Sequence, residues 1–119
     1  MSFITNIEEA TVSNENFRKV LYTARDLQLV VMNLNPGESI GSEVHRIDQF
    51  IRVEKGTGLL EVNGQVSRIK KDTAFIINAG SQHNVTNISK TRPLLLYTIY
   101  SKPIHSSRCV QRNKKNREC

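Results

Sequence analysis

The chain has 119 residues, 38% of them hydrophobic and none of them tryptophan, enough for one domain built on Ile, Val and Leu and too few for two. Its formal net charge is +6, but Arg108, Arg112, Lys114, Lys115 and Arg117 against Glu118 put +4 of that into residues 108–119. The body is nearly balanced and no aromatics interleave with the tail's cations, so a nucleic-acid surface is not expected.

No run approaches the ~20 apolar residues of a membrane span, and MSFITNIEEA lacks the charged head and apolar run of a signal peptide. The expectation is a soluble cytoplasmic protein with no membrane partner. Cys109 and Cys119 sit in the tail with no zinc-finger spacing and read as free thiols. The domain is expected over residues 1–107, with 108–119 as a solvated basic tail.

In chain order, residues 1–16 are mixed and polar, and read as a loop or arm with at most a short strand. Phe17 to Thr23 and Leu27 to Leu34 are β-rich, the second closed by Asn35-Pro36-Gly37. From Gln49 the alternation is clean, with Gln49, Ile51 and Val53 facing the interior and Phe50, Arg52 and Glu54 facing out. Gly56-Thr57-Gly58 reads as a turn. Leu59 to Val62, Asn63-Gly64 and Gln65 to Ile69 read as a hairpin. Lys70-Lys71-Asp72 turns outward, Thr73 to Ile77 reads as a buried strand, and Leu94 to Tyr100 is a long apolar strand stopped by Lys102-Pro103. About eight short strands and no convincing amphipathic helix predict an all-β sandwich or small barrel.

Two stretches carry the chemistry. In GESIGSEVHRIDQFIRVEKG, residues 37–56, Glu43 and His45 are two apart and share a face of an extended strand, and Gln49 follows at an even offset. In NAGSQHNVTN, residues 78–87, His83 follows an Asn-Ala-Gly turn, where a neighbouring strand can deliver it to the same place. Two imidazoles, a carboxylate and an amide oxygen make a plausible set for a divalent metal.

The spacing of these stretches resembles the two cupin motifs. Gly37, Glu43, His45, Gln49 and Gly56 fall at the first motif's positions, with Glu43 where the family usually has a histidine and Gln49 where it has a glutamate. Gly80, His83 and Asn87 match the second, while Asp72 and Asn78 stand in place of its Gly and Pro. The exchanges compensate, leaving a single carboxylate in the set. The resemblance implies a double-stranded β-helix or jelly-roll barrel of two antiparallel sheets. It also implies one divalent transition metal (Zn, Fe, Mn or Ni) on Glu43, His45, Gln49 and His83, a small polar molecule in the barrel, and a homodimer.

Asp48-Gln49-Phe50 and the ending Leu96-Tyr97-Thr98-Ile99-Tyr100 are similar to small bacterial cupins described as mannose-6-phosphate isomerase-like. That likeness implies a metal-dependent enzyme acting on a sugar or sugar phosphate. The alternatives are a non-catalytic small-molecule sensor and a non-haem metal dioxygenase. Besides Glu43 and one inward tyrosine, Tyr97 or Tyr100, no general base is nominated. His105 is a minor candidate for the pocket mouth, and Asn87 is expected to be a turn residue.

Overall fold

The structure, a computed structural model, describes residues 2–115. Among these, one short helix and ten strands are present: α1 (Ile7–Val12), β1 (Arg18–Thr23), β2 (Gln28–Leu34), β3 (Glu43–Val44), β4 (Gln49–Lys55), β5 (Thr57–Val62), β6 (Gln65–Lys70), β7 (Ala74–Ile77), β8 (Gln82–Asn87), β9 (Leu94–Tyr100) and β10 (Val110–Gln111). They form two antiparallel sheets, a six-stranded one in the order β10-β1-β2-β9-β4-β7 and a four-stranded one in the order β3-β8-β5-β6. The expected jelly roll is the fold observed.

The packing follows from alternation. Gln49, Ile51 and Val53 on β4 are buried, as are His83, Val85 and Asn87 on β8, so the two sheets face each other through these rows. Val30, Met32, Leu34, Ile51, Leu94 and Leu96 are sealed in the core, each worth about 1.5–3 kcal/mol of apolar burial. On β2 and β9 the opposite parity is buried too, at Val31 and Leu95, because α1 packs against both strands. Coverage on two faces is why Val30-Val31-Met32 and Leu94-Leu95-Leu96 read as continuous apolar runs.

Helix α1 replaces the irregular arm expected for residues 1–16. Its signal was present in the sequence: Asn6 caps the helix by accepting from the Glu9 backbone N–H at 3.0 Å, and Glu8 and Glu9 complement the positive end. Glu54 also departs from expectation. It is buried, although it shares a side with Arg52, whose Nη2 lies 3.7 Å from Glu54 Oε1; α1 packs on β4, and the pairing with β9 slips between Val53 and Lys55. Strand β7, expected to be buried, is a sheet edge with Ala74 and Ile76 exposed.

Turn chemistry sets the corners. Asn63 and Gly64 both take positive φ, 48° and 84°, as a two-residue hairpin of this hand requires. The predicted turn at residues 56–58 contracts to Gly56 alone, where the chain leaves one sheet for the other at φ +99°; a Cβ there would lie 2.5 Å from the Pro93 carbonyl oxygen. Asp72, standing where the motif has glycine, adopts φ 71° itself, and its Oδ1 accepts from Arg52 Nη2 at 2.9 Å.

The end of the chain is not wholly a solvated tail. Val110 and Gln111 pair with β1, and Cys109 and Gln111 are buried. Cys109 is disulfide-bonded, which corrects the free thiol expected there; Cys119 lies outside the described residues. Among the described residues, no helix is long and apolar enough to cross a membrane.

Candidate metal centre

Three of the four expected donors converge. Glu43 on β3 is the direct register partner of His83 on β8, and His45 follows two residues after Glu43. The segment after β3 is held against the turn before β8 by the Gly80 N–H, which donates to the His45 carbonyl at 2.7 Å. One donor atom from each of Glu43, His45 and His83 lies within 4.8 Å of the others. The His45 and His83 rings are 5.3 Å apart, and His45 Nε2 is 3.8 Å from Glu43 Oε1.

An ion about 2.0–2.2 Å from each donor sets neighbouring donors roughly 3–3.5 Å apart, so the widest pair allowed by the 4.8 Å spread needs to close by about one to two ångströms to hold one. The protonation states suit it. Burial lowers the pKa of His45 below the ordinary 6.5, with His83 and Arg18 adding to the effect and Glu43 opposing it, so the imidazole is in its neutral, ligating form at pH 7. His83 Nδ1 lies 3.1 Å from the Ser81 carbonyl, a contact that assigns the proton to Nδ1 and leaves Nε2 as its free lone pair.

Gln49 occupies the interior of the opposite sheet, in register with Tyr100. Its Nε2 donates to Thr98 Oγ1 at 2.9 Å, and its Oε1 is buried with no partner. A buried amide oxygen without a donor is a costly group, and a cation is one thing that satisfies it.

Tyr100 is the inward tyrosine; Tyr97 is only partly buried, beside Phe50. The Tyr100 ring meets His45 edge-on at 6.0 Å and His105 at 5.4 Å. Burial raises its phenol well above the usual value, so it stays protonated. His105, given a minor part from sequence, lies with Nε2 3.4 Å from the Tyr100 hydroxyl, and burial, then Arg18 and His45, push its pKa down to about 4. Its position is fixed by Gln28, whose Nε2 donates to the His105 carbonyl and whose Oε1 accepts from the His105 N–H. Asn87, expected to be a turn residue, is the buried last residue of β8, from which its side chain braces the following turn: its Nδ2 donates to the Leu34 and Arg92 carbonyls and its Oδ1 accepts from the Ser89 N–H. Arg52 faces away from the cluster, paired with Asp72.

Sequence reasoning missed Arg18, whose charge is felt at His45, Tyr100 and His105. Its only signal was its place at the start of a strand whose parity matches the buried Val20.

Comparisons with known proteins agree with this architecture. Residues 30–100 match the family model described as a cupin domain. The chain is 38% identical over 119 aligned residues to the uncharacterized protein YrkC of Bacillus subtilis, covering 94% of this chain and 63% of that one. It is 39% identical over 108 residues to the uncharacterized protein L612 of Acanthamoeba polyphaga mimivirus, covering 87% and 67%. The chain thus spans about two thirds of the length of these relatives. The crystal structure of BH2720 from Bacillus halodurans superposes with a TM-score of 0.92 at 40% identity, covering 96% of this chain and 91% of that one. The motif spacing, the two-sheet fold and the family match over more than half its length establish that the chain belongs to the cupins.

Proposed function

We propose that this cupin is a metal-dependent enzyme acting on a small polar molecule, with one divalent transition ion held by Glu43, His45 and His83 and with Gln49 Oε1 as a fourth donor. The observation that carries the reading is the convergence of two imidazoles and one carboxylate, from segments far apart in sequence, within 4.8 Å. When bound, such an ion supplies Lewis acidity towards a carbonyl or hydroxyl group, and iron or manganese adds redox chemistry.

The chain's own groups serve proton movement and orientation. Tyr100 keeps its proton at neutral pH and presents it between His45 and His105, while neutral His105 offers Nε2 as an acceptor 3.4 Å from the phenol. Gln28 holds the His105 backbone in place through its carbonyl and N–H. The apolar rows of β2, β4 and β9 close the floor of the site against water.

The experiment is elemental analysis of the purified chain, coupled to two activity screens on the metal-loaded protein. Dioxygen uptake with small polar substrates tests the oxygenase chemistry that a two-histidine, one-carboxylate set favours. Aldose–ketose interconversion of sugar phosphates tests the isomerase reading that the motif likeness suggested. Metal at one equivalent per chain with neither activity would favour the non-catalytic sensor. No metal, and none after reloading, would overturn the proposal.

A homodimer belongs to the same proposal. Its support is an apolar row across the outer face of the six-stranded sheet, where Tyr22, Leu29, Ile99, Phe50 and Ile76 are successive register partners and Ile76 is 67% exposed.

A further inference from the structure

Arg18 is out of place for a surface cation. It starts β1 on the inward parity, as the register partner of Met32 on one side and Gln111 on the other, and both of those are buried. One hydrogen bond is formed, from Nη1 to Gln111 Oε1 at 2.8 Å, and the Phe17 ring lies 5.3 Å from the guanidinium carbon. Nε is buried with no partner, and no carboxylate among the described residues pairs with the group. A guanidinium carries five donors in a fixed fork, and leaving one in apolar surroundings without an anion is costly.

Three buried oxygens of the same sheet also lack partners, Asn33 Oδ1, Gln49 Oε1 and Glu54 Oε2, so Arg18 Nε is the one donor among the four partnerless buried side-chain atoms of the described residues. Both Arg18 and His105 lie outside residues 30–100, the part matched by the family model. They sit on the segments that flank it, β1 and the stretch that precedes β10.

We propose that Arg18 is the anchor for an oxyanion of the bound molecule, so that the substrate class is an anionic small molecule, a carboxylate or a phosphate ester, whose charged end pairs with the guanidinium. This rests on the reading of the interior as a small-molecule site. The bidentate geometry available to arginine selects planar or tetrahedral oxyanions over neutral polyols.

The test is calorimetric titration of the full chain with inorganic phosphate and, separately, with acetate. It is run on chelator-treated and on metal-loaded samples, so that anion binding to the ion itself is separated from binding at Arg18. The wild type is expected to bind at least one of the two in the millimolar range or tighter in both samples, with Arg18→Gln weakening it about tenfold or more and Arg18→Lys recovering part of the loss. Stronger phosphate binding points to a phosphate ester, and stronger acetate binding to a carboxylate. Gln111→Ala removes the hydrogen bond but not the charge and should leave the affinity within about twofold. The inference is overturned if neither anion binds the chelator-treated wild type, if Arg18→Gln binds as well as wild type, or if Gln111→Ala reproduces the loss. Metal content measured in the same samples reports on the metal centre independently.

Discussion

Glu43 and His83 stand directly opposite each other across the β3–β8 pair, a carboxylate facing an imidazole on the same side of one sheet. This pairing, and not the local Glu43-x-His45 spacing, makes the cluster a three-point set. The chain is expected to carry close to one transition ion, and His83→Ala to lose it. Glu43→Gln keeps the shape but removes the single anionic donor, and should weaken binding by about 10–100-fold. Competition against a chromophoric chelator measures both.

Gln49 tests the fourth position. Gln49→Glu places a second carboxylate in the interior opposite the histidines, where without a cation it is a buried, unpaired group. The metal-free variant should lose about 2–4 kcal/mol of stability, while the metal-loaded variant regains most of it. Thermal melts with and without chelator check this, and an equal loss in both states would remove Gln49 from the ligand set.

His105 predicts an acid limb in stability. Its folded pKa is about 4 against an ordinary 6.5, so below pH 6.5 the unfolded chain binds a proton that the folded chain refuses. Stability is therefore full above about pH 6.5 and falls as pH drops towards 4. Discounted for partial exposure, the loss is about 1–2 kcal/mol. In metal-free protein His45 shifts in the same direction. His105→Gln should flatten the His105 part of the slope, as measured by denaturant titrations at several pH values.

Gly56 predicts a backbone effect remote from the centre. A methyl group there meets the Pro93 carbonyl oxygen at 2.5 Å in a conformation that disfavours any side chain. Gly56→Ala should cost about 2–4 kcal/mol in chemical denaturation without lowering metal stoichiometry in the protein that still folds.

The outer apolar row predicts association. The chain should sediment as a dimer, and Ile76→Glu, which puts a charge at the row's most exposed member, should shift it towards monomer without loss of fold.

The strands were legible where one face is dry and the other wet. On β4 the order Gln49, Phe50, Ile51, Arg52, Val53 alternates visibly, and Leu94–Tyr100 was bounded correctly by Pro93 and Lys102-Pro103. Strands β3 and β10 were not legible, because two residues carry no period; only pairing to β8 and β1 defines them. The convergence of Glu43, His45 and His83 was legible through motif spacing, which fixes loop length and hence register. Arg18 was not, and His105 only as a minor candidate for the pocket mouth, since each lies outside both motifs and is brought inward by long-range packing. Helix α1 was readable from Asn6 and Glu9 but was outweighed by the polar composition around it.

The brevity of β3 bears on how the cluster is held. His83 is anchored within a six-residue strand flanked by β3 and β5, whereas Glu43 hangs on a ladder of two residues at the sheet's margin and is the more solvent-exposed. Fraying of that margin would loosen Glu43 and, with it, the segment that carries His45, so the pairing that assembles the three groups is weakest where two of them are held.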